Sequence, residues 1–181
     1  MRVVAGKYKK TNLKTLEGDE ITRPTKDMVR EALFSSITVH NETLFLDLFA
    51  GSGAIGIEAL SRGAKDVVFN DHNKEAVKII RENLDKLKEE RRIMDLEYAD
   101  CLKQLKDAGF DFIYVDPPYA FQEYGEVFEL VREYNVLDKK GIMIVEVRKD
   151  TQLPEYPGYS CFKERRYGIC KLLYYRKEEK Q

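Results

Sequence analysis

One glycine-rich turn constrains this chain more than any other feature. Gly51-Ser52-Gly53-Ala54-Ile55-Gly56 follows a short apolar run at residues 44–48 and opens a helical stretch at 55–62. A G-x-G-x-x-G between a strand and a helix marks a βαβ unit, because glycines permit the tight turn and let the backbone approach a ligand where a Cβ would clash. The middle of the chain keeps the same beat. Residues 66–70 hold a strand core of Val67, Val68 and Phe69, and Asn73 is placed as the N-cap of a helix with Ala76, Ile80, Leu84 and Leu87 on one face. Strands follow at 94–98, 111–115 and 141–147, separated by helices at 101–108 and 123–134. Strands joined by helices make right-handed crossovers, so the expected fold class is α/β, a mostly parallel sheet with helices on both faces.

Both ends of the chain depart from that beat. Residues 160–166 and 169–176 are extended runs separated by Tyr167 and Gly168, which predicts an antiparallel hairpin at the sheet edge. At the front, residues 2–9 and 12–16 with a Glu17-Gly18-Asp19 turn predict a small β appendage. Thr25 is then placed as the N-cap of a helix carrying Met28, Ala32 and Leu33 on its apolar side. The length, 181 residues, suits a single compact unit. Residues 1–40 form its appendage and helix, and 41–181 its core.

Charge is sorted along the chain. Residues 1–30 carry eight basic and four acidic groups, 148–181 carry nine and five, and the middle carries fourteen and twenty-three. If the two ends meet, they make a basic surface beside an acidic body, able to grip a phosphate backbone although the whole chain has a net charge of −1. Cys101, Cys161 and Cys170 are odd in number, with only His40 and His72 beside them, which argues against a disulfide framework or a structural zinc site. Without a long apolar segment or a signal-peptide core at residues 1–10, the protein is expected to be cytoplasmic, with no membrane partner and no metal.

The turn has an acidic partner. Asp71, twenty residues beyond Gly51 at the end of the second strand, is placed to accept hydrogen bonds from both hydroxyls of a ribose. That points to a nucleoside cofactor. Asp47 before the turn and Asp100 after the third strand add two carboxylates at the same rim. Acidic groups suit the cationic end of S-adenosylmethionine better than a pyrophosphate, although a nicotinamide dinucleotide uses the same turn. Gly51, Ser52, Gly53, Gly56, Asp47, Asp71, Asp100 and its neighbour Cys101 are the candidate cofactor-binding residues.

Asp116-Pro117-Pro118-Tyr119 follows the strand at 111–115 and so falls on the same rim. Two prolines stiffen the bend and leave the Pro117 carbonyl able to accept. An exocyclic amine on a nucleobase is a poor nucleophile because its lone pair is delocalised into the ring. Accepting its N–H bonds with the Asp116 carboxylate and the Pro117 carbonyl would draw the nitrogen toward a tetrahedral form, with Tyr119 stacked on the base.

With these residues in place, the chain resembles class I S-adenosylmethionine-dependent methyltransferases that carry a D-P-P-Y motif, and more closely the bacterial 16S ribosomal RNA guanine-N2 methyltransferases. The resemblance runs over nearly the whole length. It is carried by Met1-Arg2-Val3-Val4-Ala5-Gly6-Lys7-Tyr8, Thr22-Arg23-Pro24-Thr25, Val29-Arg30-Glu31-Ala32-Leu33-Phe34, Leu46-Asp47-Leu48-Phe49-Ala50-Gly51-Ser52-Gly53 and Tyr167-Gly168. It implies a Rossmann-like seven-stranded sheet with its last strand antiparallel, and methyl transfer to the 2-amino group of one guanine in 16S rRNA of an assembled or assembling small subunit. Gly51, Gly53, Asp71 and Asp100 would hold the cofactor, Asp116 to Tyr119 the base, and Arg23 and Arg30 the RNA. Where many relatives show Glu followed by a basic residue, this chain has Asp71-His72.

These features together describe a monomeric RNA methyltransferase in which a flipped guanine N2 attacks the methyl of S-adenosylmethionine. Tyr8, Arg23, Lys26 and Arg30 on one side and Arg165, Arg166 and Lys171 on the other would grip phosphates. Three alternatives stay open at this point: a DNA adenine or cytosine amino-methyltransferase, an NAD-dependent oxidoreductase, and a noncatalytic RNA-binding assembly factor.

Overall fold

The computed structural model describes residues 1–17 and 23–178, without the side chains of 23–25. Gly18 and Asp19 of the expected turn and the Arg23 side chain, a candidate RNA contact, therefore lie outside the described residues. The described elements run α1(Arg23–Ser36), β1(Leu44–Asp47), α2(Ala54–Ser61), β2(Asp66–Asn70), α3(Lys74–Leu87), β3(Ile93–Met94), α4(Tyr98–Gln104), β4(Phe110–Val115), α5(Tyr124–Glu133), β5(Leu137–Arg148), β6(Tyr159–Tyr167) and β7(Cys170–Lys177). They build a seven-stranded sheet in the order β3-β2-β1-β4-β5-β7-β6. The first five strands are parallel, while β7 is antiparallel to both β5 and β6. This is a Rossmann-like sheet with an antiparallel C-terminal hairpin, as the resemblance implies.

Period-two alternation sorts the strand side chains onto two cores. Phe45, Tyr114, Ile144, Leu172 and Tyr174 face α1, α2 and α3, where they meet Leu33, Ile57 and Ile80. Leu46, Ile113, Val145, Leu173 and Tyr175 face α4 and α5, where they meet Leu102, Val127 and Val131. Strand β6 sits at the sheet edge and carries Lys163, Arg165 and Arg166, charges that oppose pairing with another chain.

Several expectations need correction. The front β appendage is smaller than strands over residues 2–9 and 12–16 would make it. An antiparallel bridge joins Arg2 and Asn12, with Leu13 N donating to the Met1 oxygen at 2.7 Å and Val3 N to the Thr11 oxygen at 2.9 Å, and side chains of the core hold the segment in place. Glu58 of α2, fully buried, accepts from Val4 N at 2.9 Å and Ala5 N at 3.0 Å, and Ser61 accepts from Tyr8 N at 2.9 Å. A Cβ on Gly6, whose φ is 79°, would lie 1.8 Å from the Ser61 carbonyl oxygen. Only glycine lets the segment lie this close to α2.

Among the described residues helix α1 already includes Arg23, so Thr25 lies inside the helix rather than before it. Strand β3 ends at Met94 instead of running on to Tyr98, which opens α4. The Tyr98 ring packs 5.8 Å from Phe49 and 5.4 Å from Phe121 rather than extending the ladder. Asp100 consequently lies in the first turn of α4 and does not cap it. Strand β5 starts earlier than expected, at Leu137, despite Asp138-Lys139-Lys140. Its pairing with β4 shifts register between Phe110 and Phe112, beside Gly141, where a Cβ would fall 2.7 Å from the Phe110 oxygen.

Candidate active site

Strands β1, β2, β4 and β5 end at one rim, and a cavity of about 400 Å³ opens there. Strand order reverses between β1 and β4, the place where open α/β sheets bind ligands. The glycine turn leaves β1 on one side of that point and Asp116 leaves β4 on the other.

The first half of the cavity is a tied backbone cradle. Gly51 and Gly53 have φ of 55° and 78°, a left-handed conformation that a side chain would strain. A Cβ on Gly51 would meet nothing within 4 Å, so the turn presents bare backbone to open space. Asp71 fixes the turn: its carboxylate accepts from Gly51 N at 2.8 Å and from Asn73 N at 2.9 Å. A carboxylate has roughly four acceptor positions, so capacity for ligand hydroxyls is left. Asn73 in turn caps α3, accepting from Glu75 N at 2.9 Å.

Asp47 lies beneath the turn, 1% exposed, and accepts from Gly56 N at 3.0 Å. Burial, opposed by that bond and aided by the Asp71 charge, pushes its carboxyl up to about 7. Asn83 of α3, also buried, donates to the Ser52 carbonyl at 3.0 Å and to the Lys14 carbonyl at 3.1 Å, while accepting from Lys14 N at 2.8 Å. One amide thus joins the front segment to the cradle. Phe49, Ala50, Ala54, Ile55 and Ala76 supply the apolar wall.

The second half is an open seat. Pro117 is buried, Asp116 and Pro118 are exposed, and the Tyr119 ring is 69% exposed. The Pro118 carbonyl accepts from Phe121 N at 2.9 Å, closing the bend. Beyond it Phe121 stacks edge-on against Phe49 and Tyr124, at 5.3 and 5.1 Å. The Arg148 guanidinium lies 5.7 Å from the Tyr119 ring centre. Beneath the seat, buried Tyr114 donates its hydroxyl to Glu146, and Cys170 closes the floor. Burial raises the Glu146 carboxyl, against the lowering effect of its bonds to Tyr114 and Cys170 and of the Lys26 charge. The Cys170 thiol is pushed up to about 12 by burial and by the charges of Glu146 and Asp116.

The structure therefore brings Asp47, Gly51, Ser52, Asp71 and Asp116 to Tyr119 to one cavity, with Lys26 and Arg30 at its wall. Other candidates are placed elsewhere. Gly53 backs onto α3, where a Cβ would come 3.2 Å from Ile80 Cγ1. Gly56 packs under the sheet, where a Cβ would come 2.3 Å from Phe69 Cε1. Cys101 is wholly buried with its Sγ 3.7 Å from Met94 Sδ, and Asp100 is exposed on α4, outside the cavity lining.

Among the expected RNA contacts, Arg30 needs correction. It is 2% exposed, and its guanidinium donates to the Arg2 carbonyl at 2.7 Å and Asp27 at 2.9 Å, beside Glu58 at 3.5 Å. Lys171 is likewise buried, 3.7 Å from Glu164. The Tyr8 hydroxyl is held by Glu89. Arg165 and Arg166 are exposed on β6, with Arg166 2.9 Å from Glu164.

Sequence reasoning missed Tyr114, Glu146, Cys170, Asn83 and Arg148. Two left a readable signal: Glu146 interrupts the apolar run Ile142-Met143-Ile144-Val145, and Asn83 sits on the apolar face of α3 next to Leu84. Among the described residues, no group of three or more His, Cys, Asp or Glu side chains could hold a metal ion, and no helix is long and apolar enough to cross a membrane.

The chain matches the family described as Conserved hypothetical protein 95 over residues 1–176. It is 35% identical to "Putative rRNA methyltransferase YlbH" of Bacillus subtilis, over 98% of this chain and 99% of that protein. It is 33% identical to "Ribosomal RNA small subunit methyltransferase D" of Haemophilus influenzae, over 97% and 93%. Among solved structures it resembles "Putative methyltransferase yhhF from Escherichia coli", with a TM-score of 0.86, 26% identity and 99% of each chain covered.

Proposed function

Since the chain belongs to the Conserved hypothetical protein 95 family and is similar to rRNA methyltransferases along its length, we propose that it methylates the exocyclic N2 amine of a guanine in 16S rRNA, with S-adenosylmethionine as donor. The observation that carries this reading is the shared cavity: the glycine cradle and Asp116 line the same space across the sheet's switch point. Similarity to the small-subunit rRNA methyltransferase D of Haemophilus influenzae supports the RNA class of the substrate.

The cradle fits the donor. Bare backbone at Gly51, acceptor capacity on Asp71 for a ribose and an apolar wall suit a nucleoside. Asp47, Asp71, Asp116 and Glu146 all line the cavity, which disfavours the pyrophosphate of a dinucleotide. When bound, S-adenosylmethionine supplies an electrophilic methyl group.

The chain's own residues do the rest. Asp116 and the Pro117 carbonyl accept the N–H bonds of the amine, turning its lone pair toward the cradle. Tyr119 stacks on the flipped base, and Arg148 beside that ring lies near where the adjoining phosphates would run. The proton released from N2 passes to Asp116 or to water.

The test is incubation with labelled S-adenosylmethionine and small subunits that lack the modification, followed by mapping of the labelled nucleotide. Label on a guanine N2 is the expected result; label on any other atom, or none, overturns the reading. Parallel calorimetric titrations with S-adenosylmethionine and NAD should show binding of the first alone.

A further inference from the structure

Glu146 is a half-buried carboxylate on the floor of the seat, to which the proposed transfer assigns no role. Its position is fixed by the sheet. Tyr114 pairs with Ile144 and Val115 with Val145, and continuing that register one step past the end of β4 brings Asp116 next to Glu146 of β5. Alternation turns Glu146 to the same face as Tyr114, whose hydroxyl it accepts. Lys26 of α1, Ile169 and Cys170 enclose the same floor, and Tyr119 stands at its mouth.

Two adjacent acceptors impose a condition on the base. Guanine places an amide N1–H next to its exocyclic amine, whereas adenine and cytosine place a bare ring nitrogen there. An ionised carboxylate beside the amine site, the form that the bonds from Tyr114 and Cys170 and the charge of Lys26 favour against burial, accepts from the first and repels the lone pair of the others. We propose that Glu146 selects guanine by accepting its N1–H while Asp116 accepts the amine. This rests on the proposed guanine-N2 activity and deepens it. Tyr114 then acts as a positioning residue, holding the carboxylate in line through its hydroxyl.

2-Aminopurine is the discriminating probe, because it keeps the 2-amino group but lacks N1–H. Small subunits are reconstituted with either guanine or 2-aminopurine at the mapped target, and kcat/KM for methyl transfer is measured with each. The wild-type protein should prefer guanine by about 10- to 100-fold. Glu146→Gln, which can turn its amide to donate to a bare ring nitrogen, should bring the ratio near one, with melting temperature and S-adenosylmethionine affinity retained.

An unchanged ratio in Glu146→Gln, or a wild-type protein indifferent to the probe, overturns the inference while leaving guanine-N2 activity standing. Loss of transfer to both substrates with folding and donor affinity intact also overturns it, since Glu146 would then serve the transfer itself. Where Glu146→Gln does not fold, Tyr114→Phe supplies the same comparison: a reduced ratio supports the inference and an unchanged one overturns it. Failure of the guanine-N2 reading shows separately, at the mapping step, before either variant is used.

Discussion

The two halves of the cavity are built on opposite plans. On the glycine side the carboxylates are tied to backbone N–H groups: Asp71 holds Gly51 and Asn73, and Asp47 holds Gly56. On the other side Asp116 is exposed and Tyr119 presents 69% of its surface to solvent. A cradle assembled before its ligand arrives spends little free energy on ordering at the moment of binding. The proposed substrate, a base swung out of an RNA stack, would need an entrance instead, and an exposed ring and bend would provide one.

The contrast makes claims that substitutions can break. Asp116→Ala should give the largest effect, lowering methyl transfer to the small subunit by about 100- to 1000-fold while calorimetry shows donor affinity unchanged. A parallel fall in donor affinity would mean that the two halves are not separate. Asp71→Ala is expected to do the reverse. Loss of its bonds to Gly51 and Asn73 should weaken S-adenosylmethionine binding by about 10- to 100-fold, with transfer at saturating donor much less affected.

Asn83→Ala sharpens the comparison from beneath the turn. It leaves the Ser52 carbonyl and both backbone groups of Lys14 without their buried partner, at a cost of about 1–3 kcal/mol in denaturant unfolding. A further effect concerns pH. The folded protein holds the Asp47 proton more tightly than the unfolded chain does, with a pKa of about 7 against 3.8. Its contribution to the stability of the ligand-free protein is therefore present below about pH 4 and is lost as pH rises toward 7. Asp47→Asn, which keeps an acceptor for Gly56 N, should remove that part of the slope in unfolding measured between pH 4 and 8.

Much of the parallel core is legible in the sequence because its signals are local. Residues 66–70 read as a strand with the bounds that β2 has, and Asn73 is recognisable as the cap of α3 because capping depends on the next three residues. That each follows a strand of one parallel sheet likewise places the glycine turn and Asp116 on one rim. What escapes depends on distant partners. The front segment reads as a β appendage and keeps one antiparallel bridge, yet the backbone N–H groups of Val4, Ala5 and Tyr8 go to Glu58 and Ser61, more than fifty residues away. Arg30 reads as a surface cation until Glu58 and the Arg2 carbonyl are brought to it. Gly56 fits the cofactor pattern in sequence, but in space it accommodates Phe69.

The double attachment of Asn83 gives the protein a built-in reporter. The amide proton of Lys14 is donated to the same side chain that grips the carbonyl of Ser52. Its solvent-exchange rate, or its chemical shift in an isotopically labelled sample, should therefore register occupancy of the cradle from a segment far away in sequence. An observer could follow the loading of the protein without attaching a probe to either ligand.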